Sequence, residues 1–370
     1  MANGLSIVVA TRGRVALLED LLVSLDVARE RVDVPTEVII IDDSSPADAD
    51  RIRALVMEHD SRYVGFGPSV PAKRNLGVAE SQYDIVVFLD SDCLATPDLL
   101  TEHLRMYDDP RVGAVAGLLE FTGPDTWFWK VVESSPFVIF FGLPRVMNEV
   151  PWTPTANCSV RRDLFRTVGG FDETFPPKPG GEDVDLGLRL TAKKTMRSNP
   201  KALVYHQKET WTTPRQMFAR AWHYGSADFF LVAKHPELVY PSYPRRVVIY
   251  LLMVIVPILL ALVTGILPLA LLSLAVFVDI FAVALTVNAH RNDSLSIIQK
   301  LVLQTLLLNH EAGYAFRCIR QCHPSYVHKQ IIYLDGQAIG VTQNGSRIFT
   351  IHALTASLML IAGVLIATLS

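Results

Sequence analysis

Residues 84–92 read Asp84-Ile-Val-Val-Phe-Leu89-Asp90-Ser91-Asp92. Five consecutive apolar residues, rich in β-branched and aromatic side chains, show no polar alternation, the pattern of a strand covered on both faces. The run stops at two carboxylates one residue apart. Upstream, Ser6 to Ala10 and Glu37 to Ile41 read the same way, ending at Thr11-Arg12 and Asp42-Asp43. Between and after them lie stretches of helical period. Val15 to Val27 carries Leu18, Leu21, Leu22 and Leu25, followed by Pro46 to Glu58, Ala72 to Ser81 and Thr96 to Met106. Val112 to Gly117 reads as a further strand. Alternation of this kind predicts an α/β fold, a mostly parallel sheet with helices on both faces. In such sheets ligands bind beyond the carboxyl ends of the strands, where three polar clusters are expected to converge.

Composition separates this region from the rest of the chain. Half of the 370 residues are hydrophobic, and the excess is concentrated in residues 247–288 and about 350–369. The expected division is a soluble domain over 1–244, a transmembrane hairpin over 245–289, an amphipathic interfacial segment over 290–349 and a last span over 350–370. Segments of about 20 apolar residues suffice to cross a bilayer, and candidate spans fall at 247–267, 268–288 and 350–369, with Gly265 and Pro268 at the first turn. Arg245, Arg246, Arg291 and Arg347 flank them, and the positive-inside rule puts those sides in the cytosol. The expected location is therefore the inner (cytoplasmic) membrane, with residues 1–246 facing the cytosol. The N-terminus lacks the pattern of a secretory signal. Ser294 to Cys322 suits a helix lying in the membrane plane or one packed on the soluble domain. Asp335-Gly336 suggests a hairpin, and the aromatic stretch from Asp125 to Pro154 an irregular, membrane-near insert. A net charge of -3 gives no argument for nucleic-acid binding. The scattered cysteines 93, 158, 318 and 322 lack metal-type spacing and read as reduced thiols.

Several clusters carry chemistry. Asp90 and Asp92 on a turning chain can meet one hard divalent cation that bridges a diphosphate; an acidic turn is the plain alternative. Of Asp42 and Asp43, one can cap the next helix while the other accepts hydrogen bonds from a nucleoside. Lys73-Arg74-Asn75 offers cations beside a nucleotide, or a solvated helix face. Glu182, Asp183 and Asp185 project from a helix start after Gly180-Gly181; one could take a proton from an acceptor hydroxyl, or all three could simply favour the helix dipole. His206 could complete a metal shell or be structural. Arg220 could grip a diphosphate and Trp222 stack on a sugar, unless their helix is only packed. Asp279, inside the second span, needs a partner or a polar cavity.

In this order the segments SIVVATRGR, EVIIIDDSS, AKRNLG, VVFLDSD, TANCSVRRDLFRTVGGFDE, GEDVDLGLRL and VYH resemble family 2 glycosyltransferases of the GT-A fold, over roughly residues 5 to 225. The resemblance implies inverting transfer from a nucleotide-diphosphate sugar, by default a uridine one, with Mg²⁺ or Mn²⁺. It implies that Thr11, Arg12, Asp43, Lys73 or Arg74 hold the nucleotide with Asp90 and Ser91. Asp90 and Asp92 would handle the metal with His206 as a further ligand, and Asp183 would be the catalytic base. Gly169, Gly170 and Asp172 would shape the donor and acceptor pocket with Glu182, Arg220 and Trp222. One departure is Gln216-Met-Phe-Ala-Arg220-Ala-Trp222, looser than the Gln-x-x-Arg-Trp of processive synthases. Addition of a single sugar to a lipid-linked or membrane-held acceptor is therefore expected. A polysaccharide synthase and a catalytically weak membrane scaffold are the competing readings.

Overall fold

The computed structural model describes residues 3–178, 180–286, 295–332 and 335–369. It comprises two compact units, Met1–Asp125 with Phe137–Trp211, and Thr126–Pro136 with Thr212–Ser370. The expected soluble region 1–244 thus spans a boundary after Trp211.

The first unit is built on eight strands: β1 (Leu5–Thr11), β2 (Thr36–Asp42), β3 (Arg62–Gly65), β4 (Ile85–Asp90), β5 (Cys93–Ala95), β6 (Val112–Thr122), β7 (Asn157–Arg161) and β8 (Thr195–Gln207). The chain's first helices are α1 (Val15–Glu30), α2 (Pro46–Glu58), α3 (Val70–Glu80), α4 (Leu99–Leu104), α5 (Trp127–Glu133), α6 (Arg162–Thr167) and α7 (Glu182–Thr191), of which α5 belongs to the second unit. The sheet order is β3-β2-β1-β4-β7-β6-β8-β5. Strands β3, β2, β1 and β4 are parallel, as are β6 and β8, whereas β7 runs antiparallel between β4 and β6 and β5 antiparallel to β8. Both faces are covered. Leu5, Ile7, Val9, Val87 and Leu89 pack with Leu18, Leu21, Leu22 and Leu25 of α1, while Val8, Val86 and Phe88 pack with Phe165 and Phe171 on the other side. The period-2 alternation within each strand therefore feeds two cores, which is why Ile7–Ala10, Val38–Ile41 and Ile85–Leu89 are apolar throughout.

Strand β7 escapes the apolar signature. Its Asn157 and Ser159 are buried yet polar. They are satisfied by His103, whose Nε2 lies 2.8 Å from Asn157 Oδ1 and Nδ1 2.9 Å from Ser159 Oγ. Tyr107 Oη closes the network at 2.8 Å from Ser159 Oγ. Burial pushes His103 down to about 4, so it stays a neutral hydrogen-bonding link. Strand β8 pairs with β6 over Thr195–Asn199 and again over Leu203–Gln207.

The second unit holds α5, α8 (Pro214–Lys234), α9 (Arg246–Thr264), α10 (Ala275–Thr286), α11 (Ile297–Arg320) and α12 (Asp335–Leu369), with a two-stranded ribbon of β9 (Val239–Pro241) and β10 (Lys329–Ile331). Among the described residues, three helical segments are long and apolar enough to cross a membrane: Arg246–Thr264, Leu267–Thr286 and Ser346–Leu369. They match the expected spans, with Gly265 in the left-handed conformation at the turn. Helix α11 packs along α8 at close range. A Cβ on Gly225 would fall 1.8 Å from His310 O, and one on Gly313 2.3 Å from Trp222 O. One face of α11 is therefore packed on α8, while Ile298, Phe316 and Ile319 on the helix are exposed. Asp335-Gly336 opens α12 in place of the expected hairpin. The aromatic insert is helical, in α5 and a 3₁₀ segment over Pro136–Arg145, and Phe141 packs on Phe121 and Trp211 inside the first unit. Arg291 lies outside the described residues.

Candidate active site

The parallel register sets the site. Thr11 stands opposite Asp42 and Ala10 opposite Asp90, so β1, β2 and β4 release their polar ends side by side. Helix α3 then feeds three consecutive residues into that edge. Successive side chains on a helix diverge by about 100°, and Lys73, Arg74 and Asn75 reach three different segments.

Lys73 is buried and donates to Thr11 O at 2.8 Å and to Asp43 Oδ1. Burial lowers its pKa against the pull of Asp43. Arg12 Nε lies 3.6 Å from Asp43 Oδ2 with its side chain 71% exposed. Asp42 is engaged in the turn, where its carboxylate accepts from Ser44 N at 3.0 Å, from Ser44 Oγ and from Tyr63 Oη at 3.0 Å. Asp43 is thus the carboxylate of this pair that faces the cations.

Arg74, only 5% exposed, places Nη2 3.0 Å from Asp90 Oδ1 and Nη1 3.0 Å from Glu182 Oε1. Its guanidinium also lies 5.6 Å from the centre of the Phe171 ring. One side chain therefore ties the end of β4 to the start of α7, more than ninety residues apart in the chain. Glu182 Oε2 accepts from Gly180 N at 2.6 Å, which fixes the approach to α7. Asp183, next to it, is half-buried and accepts from Val184 N at 2.9 Å. Burial, reinforced by the Glu182 charge and opposed by Arg74, raises its pKa to about 7. Asp185 turns away to Arg189 at 2.6 Å.

Asn75 clamps the third segment. Its Nδ2 donates to Phe171 O at 2.9 Å and its Oδ1 accepts from Phe171 N at 2.8 Å. Gly169 and Gly170 both have positive φ, and a Cβ on Gly170 would fall 2.7 Å from Asn75 Oδ1. The Gly169-Gly170-Phe171-Asp172 turn is thereby locked to the helix that carries Lys73 and Arg74. Asp172 Oδ1 accepts from Thr174 N at 2.9 Å.

Asp92 is buried below these groups, beside the buried Ser91. Its Oδ2 accepts from Arg14 Nη1 at 2.9 Å and Thr210 Oγ1 at 2.8 Å, and its Oδ1 lies 3.4 Å from His206 Nε2. Asp92, Cys93 and His206 offer ligand atoms within 4.8 Å of one another. Burial raises the Cys93 thiol well above its ordinary value, which keeps it protonated and a poor ligand. A carboxylate oxygen and an imidazole nitrogen 3.4 Å apart are spaced as adjacent donors to one small cation, whose ligands stand about 2 Å from it. The donor set therefore fits Mg²⁺ or Mn²⁺, with imidazole the better match to Mn²⁺. Phe121 and Trp211 wall His206 with ring centres 5.4 and 6.0 Å away. Asp90 sits at the rim with its side chain 35% exposed.

Thr11, Arg12, Asp43, Lys73, Arg74, Asp90, Ser91, Asp92, Gly169, Gly170, Asp172, Glu182, Asp183 and His206 all lie in the first unit. Arg220 and Trp222 lie in the second, on α8, where Trp222 packs against Phe316 at 5.5 Å and Arg220 Nη1 donates to Tyr224 Oη at 3.4 Å. Three further residues escape sequence reading. Arg14 carries the last charge of a loop whose left-handed turn has no local signature, Thr210 follows β8 in a short 3₁₀ turn, and Asn75 reads in the sequence only as part of a cationic helix start.

An α/β sheet with carboxylates at its strand ends, and an acidic helix start tied to them by an arginine, is the frame of the first unit. Residues 6–169 match the family described as glycosyl transferase family 2. Over 212 residues the chain is 32% identical to the pre-mycofactocin glycosyltransferase of Mycobacterium tuberculosis, covering 55% of this chain and 44% of that protein. It is 30% identical over 222 residues to a validoxylamine A glucosyltransferase of Streptomyces hygroscopicus, covering 51% of each. The chain thus spans about half the length of the curated relatives it matches. Among solved structures, the mannosyltransferase PcManGT of Pyrobaculum calidifontis, in complex with GDP-Man and Mn²⁺, superposes with a TM-score of 0.50 at 18% identity. The match covers 88% of this chain and 85% of that one. That likeness establishes the GT-A fold of the first unit.

Proposed function

We propose that the chain transfers one sugar from a nucleotide-diphosphate sugar, with uridine as the default nucleoside, to a lipid-linked or membrane-held acceptor, inverting the anomeric centre. The observation that carries this reading is Arg74, which joins Asp90 at the end of β4 to Glu182 beside Asp183. A rim carboxylate and a carboxyl with a pKa of about 7 thereby belong to one site. Lys73, Asp43 and the exposed Arg12 hold the nucleotide side, with Thr11 and Ser91 lining it. Asp92 and His206, with Asp90 at the rim, would hold the divalent cation. When bound, the cation supplies charge neutralisation to the departing diphosphate. Asp183 takes the proton from the acceptor hydroxyl as its oxygen attacks the anomeric carbon, a role that suits a carboxylate tuned near the working pH. Arg74 acts through the carboxylates it positions, while Gly169, Gly170 and Asp172 shape the pocket floor clamped by Asn75. Support for the donor class comes from the GDP-Man complex of the structural neighbour. A glucosyl-dolichyl phosphate glucuronosyltransferase of Haloferax volcanii, 25% identical over 214 residues, gives a lipid-linked precedent. Residues 1–246 are assigned to the cytosolic face of the inner membrane, with the chain held there by the three apolar helices.

The test separates binding from turnover. Asp183→Asn should retain metal-dependent binding of a fluorescent nucleotide-sugar analogue while losing turnover by about 10²-fold or more. Asp92→Ala should lose the metal dependence of that binding. Full turnover in Asp183→Asn would remove the base assignment, and an unchanged metal requirement in Asp92→Ala would remove the ligand assignment.

A further inference from the structure

The cations at the strand ends answer different carboxylates. Lys73 and Arg12 meet Asp43, and Arg74 is shared between Asp90 and Glu182. Arg14 instead meets Asp92, the buried carboxylate assigned to the divalent cation, with Nη1 2.9 Å from Oδ2. Its backbone is held in an unusual state. Arg14 has φ 58° and ψ 39°, directly after Gly13 at φ 61°. A residue with a Cβ is strained in that left-handed region, and such strain persists where the surroundings enforce it. The Arg14 side chain is 42% exposed, against 3% for Asp92. One guanidinium therefore touches a sealed carboxylate and stays open to solvent, shortly after the end of β1 at Thr11.

Orienting Asp92 does not require an arginine. Oδ2 also accepts from Thr210 Oγ1 at 2.8 Å, while Oδ1 lies 3.4 Å from His206 Nε2. Arg14 and Thr210 hold the same oxygen, so either one turns Oδ1 toward the imidazole. What Arg14 supplies and a hydroxyl cannot is a permanent positive charge. A buried carboxylate is costly unless it is paired, and Arg14 pairs it. A divalent cation held through Oδ1 and His206 would meet that like charge across one carboxylate. The separation is well inside the Debye length of about 10 Å at 0.1 M salt, so screening is weak. The charge of Arg14 thus opposes a cation arriving alone. A diphosphate attracts both the cation and the half-exposed guanidinium, and offsets the opposition.

We infer that Arg14 sets the order of binding at this site: it weakens the hold on a divalent cation alone and favours the diphosphate, so the cation enters with the donor and not ahead of it. Arg14 acts on the cation through Asp92, as a positioning residue that also carries charge. The inference rests on the reading of Asp92 and His206 as cation ligands, and it adds a residue that this reading does not use. A purely structural Arg14, tying the start of α1 to Asp92, would behave differently. Its loss would weaken both ligands or neither, whereas a charge acts on a cation and an anion with opposite sign.

The full chain in mild detergent is titrated with Mn²⁺ alone, read by loss of the electron paramagnetic resonance signal of the free aqueous ion. UDP and GDP are then titrated by calorimetry at saturating Mn²⁺. Arg14→Gln should bind Mn²⁺ at least about tenfold more tightly than the wild type, since a charge within about 4–6 Å moves an ionic equilibrium by about 10- to 1000-fold. It should bind the preferred nucleoside diphosphate about two- to fivefold more weakly, the size of a solvent-exposed ion pair. Arg14→Lys keeps the charge, and the contact to Asp92 runs through one nitrogen, so it should restore both affinities. Adding Asp92→Ala to Arg14→Gln should abolish the gain in Mn²⁺ binding. Damage to the fold cannot produce that gain. Mn²⁺ binding in Arg14→Gln equal to or weaker than that of the wild type would overturn the inference while leaving Asp92 a ligand, and a gain that survives Asp92→Ala would overturn it as well. Mn²⁺ bound by neither protein, with or without nucleotide, would overturn the inference together with the ligand assignment.

Discussion

At the scale of single residues, Asp183 sets two opposed demands. Its raised pKa means that the folded chain holds the proton more tightly than the unfolded one. The associated stability is therefore present below about pH 4 and is lost as pH rises through about 7. Catalysis needs the ionised form, so kcat/KM should rise with pH through about 7 and level off above it. A profile flat between about pH 5.5 and 8.5 would contradict the base role. The same carboxylate should make Asp183→Asn melt a few degrees higher than the wild type at about pH 8, with the gap closing near pH 4; a lower melting point in the alkaline buffer would oppose it. Arg74 makes the converse case. Arg74→Met leaves the buried Glu182 carboxylate uncompensated and should cost about 3–5 kcal/mol in denaturant melts. Arg74→Lys should recover little, because an ammonium cannot bridge two carboxylates in the geometry of a guanidinium. Stability of Arg74→Met within about 1 kcal/mol of the wild type, on the order of ordinary surface changes, would show that the bridge is ornamental. Much of this is visible in the sequence. Asp90, Asp92, Asp183 and His206 stand at strand ends and at a helix start, places that sequence periodicity finds. Arg14, Asn75 and Thr210 are not, since their roles come from a left-handed turn, a helix phase and a chain reversal that no local pattern encodes.

At the scale of elements, the apolar strands are legible because burial on both faces leaves an unbroken hydrophobic run. Strand β7 is not, because its inward polar atoms are satisfied by His103 and Tyr107 across the sheet. The antiparallel direction of β7 lies equally beyond periodicity. Helix α11 illustrates another limit. Its amphipathic pattern fits a membrane surface or a protein partner equally, and only the contact of Gly225 with the α11 backbone and of Gly313 with the α8 backbone shows that one face has a protein partner. Glycine inside an exposed helix costs about 1 kcal/mol against alanine, so Gly→Ala in a helix usually stabilises. Here the sign should reverse. Gly225→Ala and Gly313→Ala should each destabilise by about 1–3 kcal/mol, the cost of overpacking, read as a lower melting temperature in detergent. A rise in melting temperature would mean that α8 and α11 do not pack at this distance.

At the scale of the whole molecule, the proposed arrangement joins a cytosolic transferase domain to a membrane-held unit. Orientation can be read from the cysteines. Cys93, Cys158 and Cys318 are buried and Cys322 is exposed, so a membrane-impermeant maleimide reports on Cys322 alone. It should label inside-out vesicles and spare right-side-out ones; the opposite pattern would invert the assigned topology. The most direct test of the central claim uses the detergent-purified chain with UDP-, GDP- and dTDP-sugars, Mn²⁺ or Mg²⁺, and a membrane lipid extract, reading released nucleotide and product mass together. Metal-dependent release from one donor, with one sugar added to a lipid, is the predicted result. A ladder of products would identify a polymerising synthase, and no release from any donor, in wild type and Asp183→Asn alike, would contradict the account and leave a membrane scaffold.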